Sequence, residues 1–209
     1  MAAWILFSPG PAPTGAAAAA ADGCPTPAAE ARARRAFSAA ERRYLTESSG
    51  AVIHADLRQI ARDSILRAAL SIGNLKSALA DANRHLVRHV VQIRVLRGRR
   101  VLVDANAASF DVGGSGVELY ARDGRRLGRL QVTVQDVIGF IKLVHKLNAV
   151  EVVVRGARGQ ARTSLPAAAG LSLPSSGCTR IGADRYLVRS FDETSFSGEP
   201  LTIWLLAAA

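Results

Sequence analysis

The most regular pattern of apolar and polar positions lies between residues 116 and 155, where it predicts strand, turn, strand, helix and strand. The first two strands, Gly116–Arg122 and Leu127–Val134, flank Asp123-Gly124, a dipeptide whose tolerance of positive φ suits a tight hairpin. The last strand, Val150–Val154, is almost continuously apolar and β-branched, which is typical of a well-buried strand. The segment therefore predicts the core of an α+β domain with a single sheet.

An amphipathic helix is predicted between these strands. Thr133 and Asp136 stand at capping-box spacing directly before it. Its apolar positions recur at steps of three and four residues and form one stripe: Val137, Phe140, Ile141 and Val144.

The rest of the chain extends this pattern on both sides. Three helical stretches come first, over Ala28–Ser48, Val52–Leu70 and Leu75–Leu86. Further strands are predicted over His89–Arg97, Val101–Ala105, Gln160–Leu165, Tyr186–Phe191 and Leu201–Leu206. The glycine-rich loop 106–115 and the loop Pro166–Gly182 separate them. We expect a tail over residues 1–27, a helical lead-in over 28–88 and an antiparallel sheet domain over 89–209, with 28–209 forming one domain.

Composition adds a strong positive charge. The chain of 209 residues has a formal net charge of +10, and all but three of its 27 basic residues are arginines, spread from Arg32 to Arg189. Aromatic residues make up only 5 %. A nucleic-acid binder more often gathers its cations on one face among aromatic side chains, so this distribution disfavours nucleic-acid binding and favours arginines on solvated faces.

The N-terminal 27 residues differ from the rest, with prolines, an alanine tract and the apolar patch Trp4–Phe7. No apolar stretch reaches the roughly 18 to 20 residues that span a bilayer. No Lys or Arg precedes the apolar patch, so an export signal is not clearly present, and we expect a disordered tail. Cys24 lies in this tail; a disulfide with Cys178, lipidation and separate thiols all stay open.

Catalytic and metal-binding patterns are weak. Among the histidines only His85 and His89 are four residues apart, and this pair straddles a predicted helix end, so we expect surface histidines and no metal site. The cluster Gly113–Gly116 precedes a strand rather than a helix and is interpreted as a flexible loop. No serine stands in a nucleophile-elbow context. The sequence predicts neither an enzyme nor a bound cofactor.

The order of elements resembles that of PAS-like extracytoplasmic sensor domains of the Cache type. The stretches that carry this resemblance are Ala68–Leu79 followed by Val90–Asp104, Asp123-Gly124-Arg125-Arg126-Leu127-Gly128 with Val132–Asp136, and Val152-Val153-Val154 with Gly159 and Thr163–Pro166. The resemblance implies a single antiparallel sheet with long N-terminal helices and one helix packed on it. It also implies a ligand-sensing or interaction module outside the cytoplasm, secreted or at the cell surface, here without a membrane span or a signalling domain.

In a PAS-like sheet the ligand cavity lies on one face, roofed by loops, which here are 106–115 and 166–182. The polar side chains expected to project there are Arg94, Asp104, Tyr120, Arg162, Ser164, Tyr186 and Arg189. A buried arginine in such a cavity binds a carboxylate with two parallel hydrogen bonds. Alternate residues of an antiparallel strand also face water, so solvated arginines are the competing interpretation.

These patterns predict a non-catalytic sensor-like domain that binds a small anionic ligand, such as a carboxylate, or a signalling partner protein. Two alternatives stay open. One is an arginine-rich protein that binds nucleic acid or another polyanion. The other is a module without a pocket that forms a homodimer through its N-terminal helices.

Overall fold

A computed structural model describes residues 26–86, 90–107 and 111–209. Within these ranges the helices are α1 (Pro27–Ser49), α2 (Ala51–Ala61), α3 (Ser64–Ser71), α4 (Leu75–Arg84) and α5 (Val137–Asn148). The strands are β1 (Gln92–Arg97), β2 (Arg100–Ala105), β3 (Ser115–Tyr120), β4 (Arg126–Thr133), β5 (Glu151–Gly156), β6 (Ala161–Thr163), β7 (Ser176–Ile181), β8 (Asp184–Thr194) and β9 (Pro200–Ala208). A short 3-10 helix, Pro166–Ala168, precedes β7.

The strands form two antiparallel sheets rather than one. The first has the order β2-β1-β4-β3 and the second the order β6-β5-β9-β8-β7. The predicted α+β class, the antiparallel pairing and the helix packed on a sheet are confirmed, whereas the single sheet is wrong. The reason is that α5 carries the chain away after β4, so β5 pairs with β6 and β9 and never with a strand of the first sheet.

The two sheets follow the same rule of assembly. In each, the first two strands form a hairpin, and the last strand of the sheet returns to pair with its first strand. The second sheet adds one strand beyond this pattern. We call α2–α4 with β1–β4 the first unit, and α1 with α5 and β5–β9 the second unit.

The core of the first unit lies on one face of its sheet, against α2, α3 and α4. In β1, Ile93 and Val95 are buried on this face, while Arg94 between them points to the opposite face. The helical side is formed by Leu57, Leu66, Leu70 and Ala78 among others. The first sheet therefore has one apolar and one polar face.

The core of the second unit covers both faces of its sheet. Val152 and Val154 belong to the cluster formed with α1 and α5, and Val153 belongs to a separate cluster on the other face. All three side chains have no exposed surface. This arrangement explains the unbroken apolar run in β5 and confirms that it is a buried strand.

The chain passes between the units at two places. Gly50 ends α1 and begins α2, and a Cβ there would lie 2.3 Å from the carbonyl oxygen of Thr46. The second crossing is the segment from Val134 to Asp136, between β4 and α5. The predicted division of the chain after residues 27 and 88 stays a prediction.

Several predicted boundaries are corrected. The helix expected over Val52–Leu70 is two helices, because the Asp63 carboxylate accepts hydrogen bonds from Ile65 N and Leu66 N and begins α3. Asp136 itself caps α5 by accepting from Gly139 N, so Thr133 and Asp136 do not form a capping box. The loop expected over 166–182 contains β7. The strand expected from His89 begins at Gln92, and residues 87–89 lie outside the described ranges.

Two local predictions, the β3–β4 turn and the apolar stripe of α5, are confirmed. The hairpin between β3 and β4 turns at Gly124, whose φ of +84° is the positive value that glycine tolerates. α5 buries the predicted stripe of Val137, Phe140, Ile141 and Val144. Among the described helices, none has a stretch both long and apolar enough to span a bilayer.

Candidate functional site

The seven polar residues expected to line one cavity are distributed over both units. Arg94, Asp104 and Tyr120 lie on the first sheet, whereas Arg162, Ser164, Tyr186 and Arg189 belong to the second unit. The fold therefore does not gather them around one space. Their role in ligand binding stays a prediction.

Arg94 and Asp104 do come together, because they are direct cross-strand partners in β1 and β2. Arg94 Nε and Nη2 lie 3.1 Å and 2.9 Å from Asp104 Oδ2. The guanidinium also lies over the ring of Phe196, 5.2 Å from its centroid, and donates to the Phe196 carbonyl oxygen. Because Phe196 belongs to the turn between β8 and β9, this ion pair joins the two units rather than opening to a ligand.

The junction of the units also buries an acidic group, Asp111, which is 3 % exposed. Burial, followed by the nearby charge of Asp136, raises the pKa of Asp111 to about 6. Arg94 opposes this shift and Asp104 adds to it. The hydroxyl of Tyr44 accepts from Gly113 N at 3.1 Å and donates to Thr194 O at 3.4 Å, and burial raises its pKa to about 12.

Close packing at this junction accounts for the glycine cluster. A Cβ on Gly114 would lie 2.4 Å from the Val132 carbonyl oxygen and 2.6 Å from the Phe196 ring. Glycine is therefore required for close approach, in addition to any freedom it gives the loop.

The four predicted residues of the second unit have structural roles or face solvent. Ser164 Oγ accepts from Val152 N at 2.8 Å, and Tyr186 is buried, with its pKa raised chiefly by that burial. Arg189 Nε lies 3.0 Å from Glu41 Oε1 of α1. Arg162 is exposed and donates to the carbonyl oxygen of the adjacent Ala161.

The face of the second sheet beneath residues 165–173 is filled by side chains. Ala168 and Leu173 are buried against Val153, Val188 and Leu206 of the strands. Arg155 holds this segment in place, since its guanidinium donates to the carbonyl oxygens of Ala168, Ala169 and Leu171 and lies 5.1 Å from the Trp204 ring centroid. The expected space under the second long loop is therefore occupied by the protein itself.

The first unit offers an open site instead. A cleft of about 890 Å³ lies along α3, between the turn before α4 and the tip of the β3–β4 hairpin. We call it the α3 cleft. It is lined by Arg62, Ser64, Ile65, Arg67, Ala68, Ala69, Ser71, Ile72, Asn74, Ser77, Ala121, Arg122 and Asp123.

Two arginines hold the walls of the α3 cleft together. Arg67 Nε donates to the Tyr120 carbonyl oxygen at 2.7 Å, and Arg125 Nη2 donates to the Ser71 carbonyl oxygen at 3.3 Å. Both bonds tie the β3–β4 hairpin to α3. Tyr120, predicted as a site residue, thus reaches the border of the cleft through its backbone, and its side chain is 48 % exposed.

Two further arginines are unengaged in the described parts of the chain. Arg62 and Arg122 are exposed lining residues, and neither side chain takes part in the hydrogen bonds or ion pairs found among the described residues. With Arg67 they give the lining three positive charges against the single carboxylate of Asp123. The large apolar side chains of the lining are Ile65 of α3, 54 % exposed, and Ile72 directly after α3, 80 % exposed.

Sequence reasoning missed these residues because Arg62 and Arg122 are sixty positions apart and line the same cleft only through the packing of α3 against the hairpin. One local pattern could have located Arg62. Asp63-Ser64 before the apolar Ile65 is typical of a helix start, which places Arg62 in the turn before that helix.

Two further predictions involve residues outside the described ranges. Cys24 is not among the described residues, so its disulfide with Cys178 of β7 stays a prediction. The pair His85 and His89 also cannot be compared, since α4 ends at Arg84 and residue 89 is not described.

A scan against protein-family models and a search of curated proteins gave no match. Among solved structures, the chain is similar to the periplasmic domain of Vibrio cholerae LuxQ, with a TM-score of 0.51, 11 % sequence identity, and coverage of 87 % of this chain and 97 % of that one. The chain therefore shares its fold with this periplasmic domain. The predicted resemblance is thus confirmed for the fold.

Two further structures were also found. A second structure of the LuxQ domain gives a TM-score of 0.49 at 11 % identity, covering 87 % of this chain and 99 % of that chain. The sensor domain of the V. cholerae histidine kinase DctB gives 0.43 at 12 % identity, with coverage of 86 % and 98 %.

Proposed function

We propose that the chain is a non-catalytic, extracytoplasmic sensor-type module that binds a small organic anion, such as a carboxylate, in the α3 cleft. The observation that carries the proposal is that Arg62 and Arg122, both without a partner among the described residues, line the same open, partly apolar cleft. Guanidinium groups bind carboxylates through paired hydrogen bonds, and an apolar wall beside them accommodates a carbon skeleton. The fold shared with a periplasmic domain supports the extracytoplasmic location.

The volume of the α3 cleft is in the range of small-molecule sites. Its value of about 890 Å³ compares with roughly 300 to 1,000 Å³ for ligand pockets. The cleft is open to solvent, so a ligand reaches it without displacing a buried segment. The first unit therefore combines access, positive charge and apolar surface at one place.

A thermal-shift screen of the purified chain tests the proposal. The probes are succinate, citrate, glutamate and inorganic phosphate, each added over a concentration series. A ligand at a hundred times its Kd adds about 2.7 kcal/mol to the free energy of unfolding, which raises Tm by several degrees in a protein of this size. We expect at least one carboxylate to do so.

The variants Arg62→Gln and Arg122→Gln locate the site. Each is expected to weaken binding of the stabilising anion at least tenfold in calorimetry, while Arg158→Gln in the turn between β5 and β6 binds it like the unmodified chain. Arg158 is a matched control, since it is also an exposed arginine whose side chain has no acidic partner among the described residues. No stabilisation by any carboxylate, or an equal loss in Arg158→Gln, contradicts the proposal.

A partner protein is the second candidate ligand of the same surface. Its supporting observation is that Ile65 of α3 and Ile72, which caps the end of that helix, both have half or more of their surface exposed. Ile72→Ser leaves the cleft arginines in place. Anion binding that survives this substitution favours the small-molecule function.

Polyanion binding is less well supported. Many arginines along the described chain have acidic partners, including Arg34 with Glu30, Arg43 with Glu47, Arg126 with Glu118 and Arg189 with Glu41. Salt-sensitive stabilisation by heparin or oligonucleotides, without any effect of small carboxylates, would favour this alternative. Association through the N-terminal helices also stays a prediction, and sedimentation of the free chain tests it.

A further inference from the structure

Three side chains with metal-binding atoms meet in the first unit, at the turn before α3 and the end of α4. They are Asp63, Asp81 and His85, and their ligand atoms all lie within 4.8 Å of one another. His85 Nε2 is 3.0 Å from Asp63 Oδ2 and 4.0 Å from Asp81 Oδ2. We call this group the Asp63–Asp81–His85 cluster.

The secondary structure fixes all three positions. Asp63 caps the start of α3 through its Oδ1 atom, which leaves Oδ2 directed at His85. His85 caps the end of α4, and Asp81 lies one turn earlier on the same face of that helix. Because α3 and α4 pack against each other, the group is assembled by the fold and needs no loop closure.

Asp81 supplies the decisive observation. It is 1 % exposed, and although Arg84 contacts its Oδ1 atom, its Oδ2 atom has no hydrogen-bond partner among the residues that the structure describes. A buried polar atom left unsatisfied costs about 1 to 3 kcal/mol, more when it carries charge. This oxygen points into the cluster, toward His85 Nε2. A cation between the three side chains would satisfy it, whereas the Asp63–His85 ion pair alone does not.

The donor set indicates which cations fit. One imidazole nitrogen and two carboxylate oxygens suit zinc and neighbouring divalent transition metals, while calcium and magnesium prefer six or more oxygen ligands or retained water. Tetrahedral bonds of about 2.0 Å place ligand atoms about 3.3 Å apart, between the two distances observed here. The side chains of Asp63 and His85 are 22 % and 19 % exposed, so solvent reaches the open side.

We propose that the Asp63–Asp81–His85 cluster is a binding site for a divalent transition-metal cation of the zinc type. The site goes beyond the proposed anion binding and is independent of it. It lies beside the α3 cleft, because Asp63 stands between Arg62 and Ser64 of the cleft lining.

Calorimetry and thermal shift with zinc chloride on the chelator-treated full chain, free of any histidine tag, test the proposal. We expect one zinc ion per chain, a Tm that rises with zinc concentration, and no such rise with magnesium or calcium chloride. No organic anion is present, so a failure of the proposed cleft function does not affect this result.

Substitutions assign the zinc to these residues. Asp81→Asn and His85→Gln should each weaken zinc binding at least tenfold. Asp63→Asn should weaken it too while keeping an oxygen that caps α3, so it covers the case in which another variant fails to fold. The matched control is His145→Gln, since His145 Nδ1 lies 3.3 Å from Glu151 Oε2 in a histidine-carboxylate pair for which the described residues offer no third ligand.

His145→Gln should bind zinc like the unmodified chain. Absence of zinc binding overturns the proposal, and so does zinc binding that persists unchanged in Asp81→Asn and His85→Gln.

Discussion

Four strands of each sheet follow the same order, and yet the two sheets differ in what covers their faces. The first sheet has helices on one face and a polar second face, whereas the second sheet is covered by side chains on both faces. The α3 cleft, with two arginines that have no partner among the described residues, and the Asp63–Asp81–His85 cluster lie in the first unit. The second unit is thus packed on both faces of its sheet, and both proposed binding sites belong to the first unit.

The largest loss of stability is expected from a substitution that creates a cavity in the core of the second unit. Phe140 of α5 is fully buried, with its ring edge-on to Tyr44 at 5.4 Å. Phe140→Ala should lower the free energy of unfolding by about 3 to 5 kcal/mol, because it removes buried surface and leaves a void. Urea denaturation measures this loss.

Ile138→Ala is the control, since Ile138 is on the same helix and 49 % exposed, and it should cost less than about 1 kcal/mol. A loss of similar size in both variants would show that the second unit is not a packed scaffold.

A smaller loss of stability is expected where residues 165–173 pack on the second sheet. Arg155→Ala removes the donor to three carbonyl oxygens of residues 168–171 and the contact with Trp204. We expect a loss of about 1 to 2 kcal/mol and faster hydrogen exchange of residues 166–175.

Arg158→Ala provides the comparison, because this exposed side chain makes no hydrogen bond or ion pair among the described residues. Unchanged exchange in Arg155→Ala would mean that the segment is held by apolar packing alone.

The smallest effect concerns the junction between the units and depends on pH. The folded-state pKa of Asp111, about 6, lies above its ordinary value of about 3.9. Between these values the folded protein binds more protons than the unfolded chain, so the Asp111 contribution to stability is present at low pH and is lost as pH rises to about 6. Asp111→Asn removes this dependence.

Relative to the unmodified chain, Asp111→Asn should therefore gain on the order of 1 kcal/mol between pH 4 and pH 7. Chemical denaturation at a series of pH values gives this difference directly. A difference that is constant with pH, or of opposite sign, would show that Arg94 compensates the charge of Asp111 in the folded state.

The sequence was sufficient for features that depend on neighbouring residues. The Asp123-Gly124 turn, the buried stripe of α5 and the doubly buried β5 were all predictable, because each follows from local backbone preference or residue periodicity. β7 was missed because Ser176, Gly177 and Arg180 give it no apolar alternation.

Features that depend on contacts between distant parts of the chain could not be predicted from local patterns. Periodicity shows which residues share a face of a strand, but not which strand lies beside it, and so the single sheet was wrong. One pattern did indicate two different sheets. Apolar and polar residues alternate in β1, as in a strand with one buried face, whereas β5 is continuously apolar, as in a strand buried on both faces. Arg94 and Asp104 were predicted to project into one cavity; they pair across β1 and β2, and their role in ligand binding stays a prediction. The positions of Arg62, Arg122 and the Asp63–Asp81–His85 cluster depend on helix packing, which residue periodicity does not show.

The two chain crossings, at Gly50 and at Val134–Asp136, have a mechanical consequence. A relative rotation of the two units about these crossings has to break the contact of Arg94 with Phe196 and the hydrogen bond between Tyr44 and Gly113. At Gly50 any side chain would collide with the preceding helical turn, so glycine is needed where the chain passes from α1 to α2.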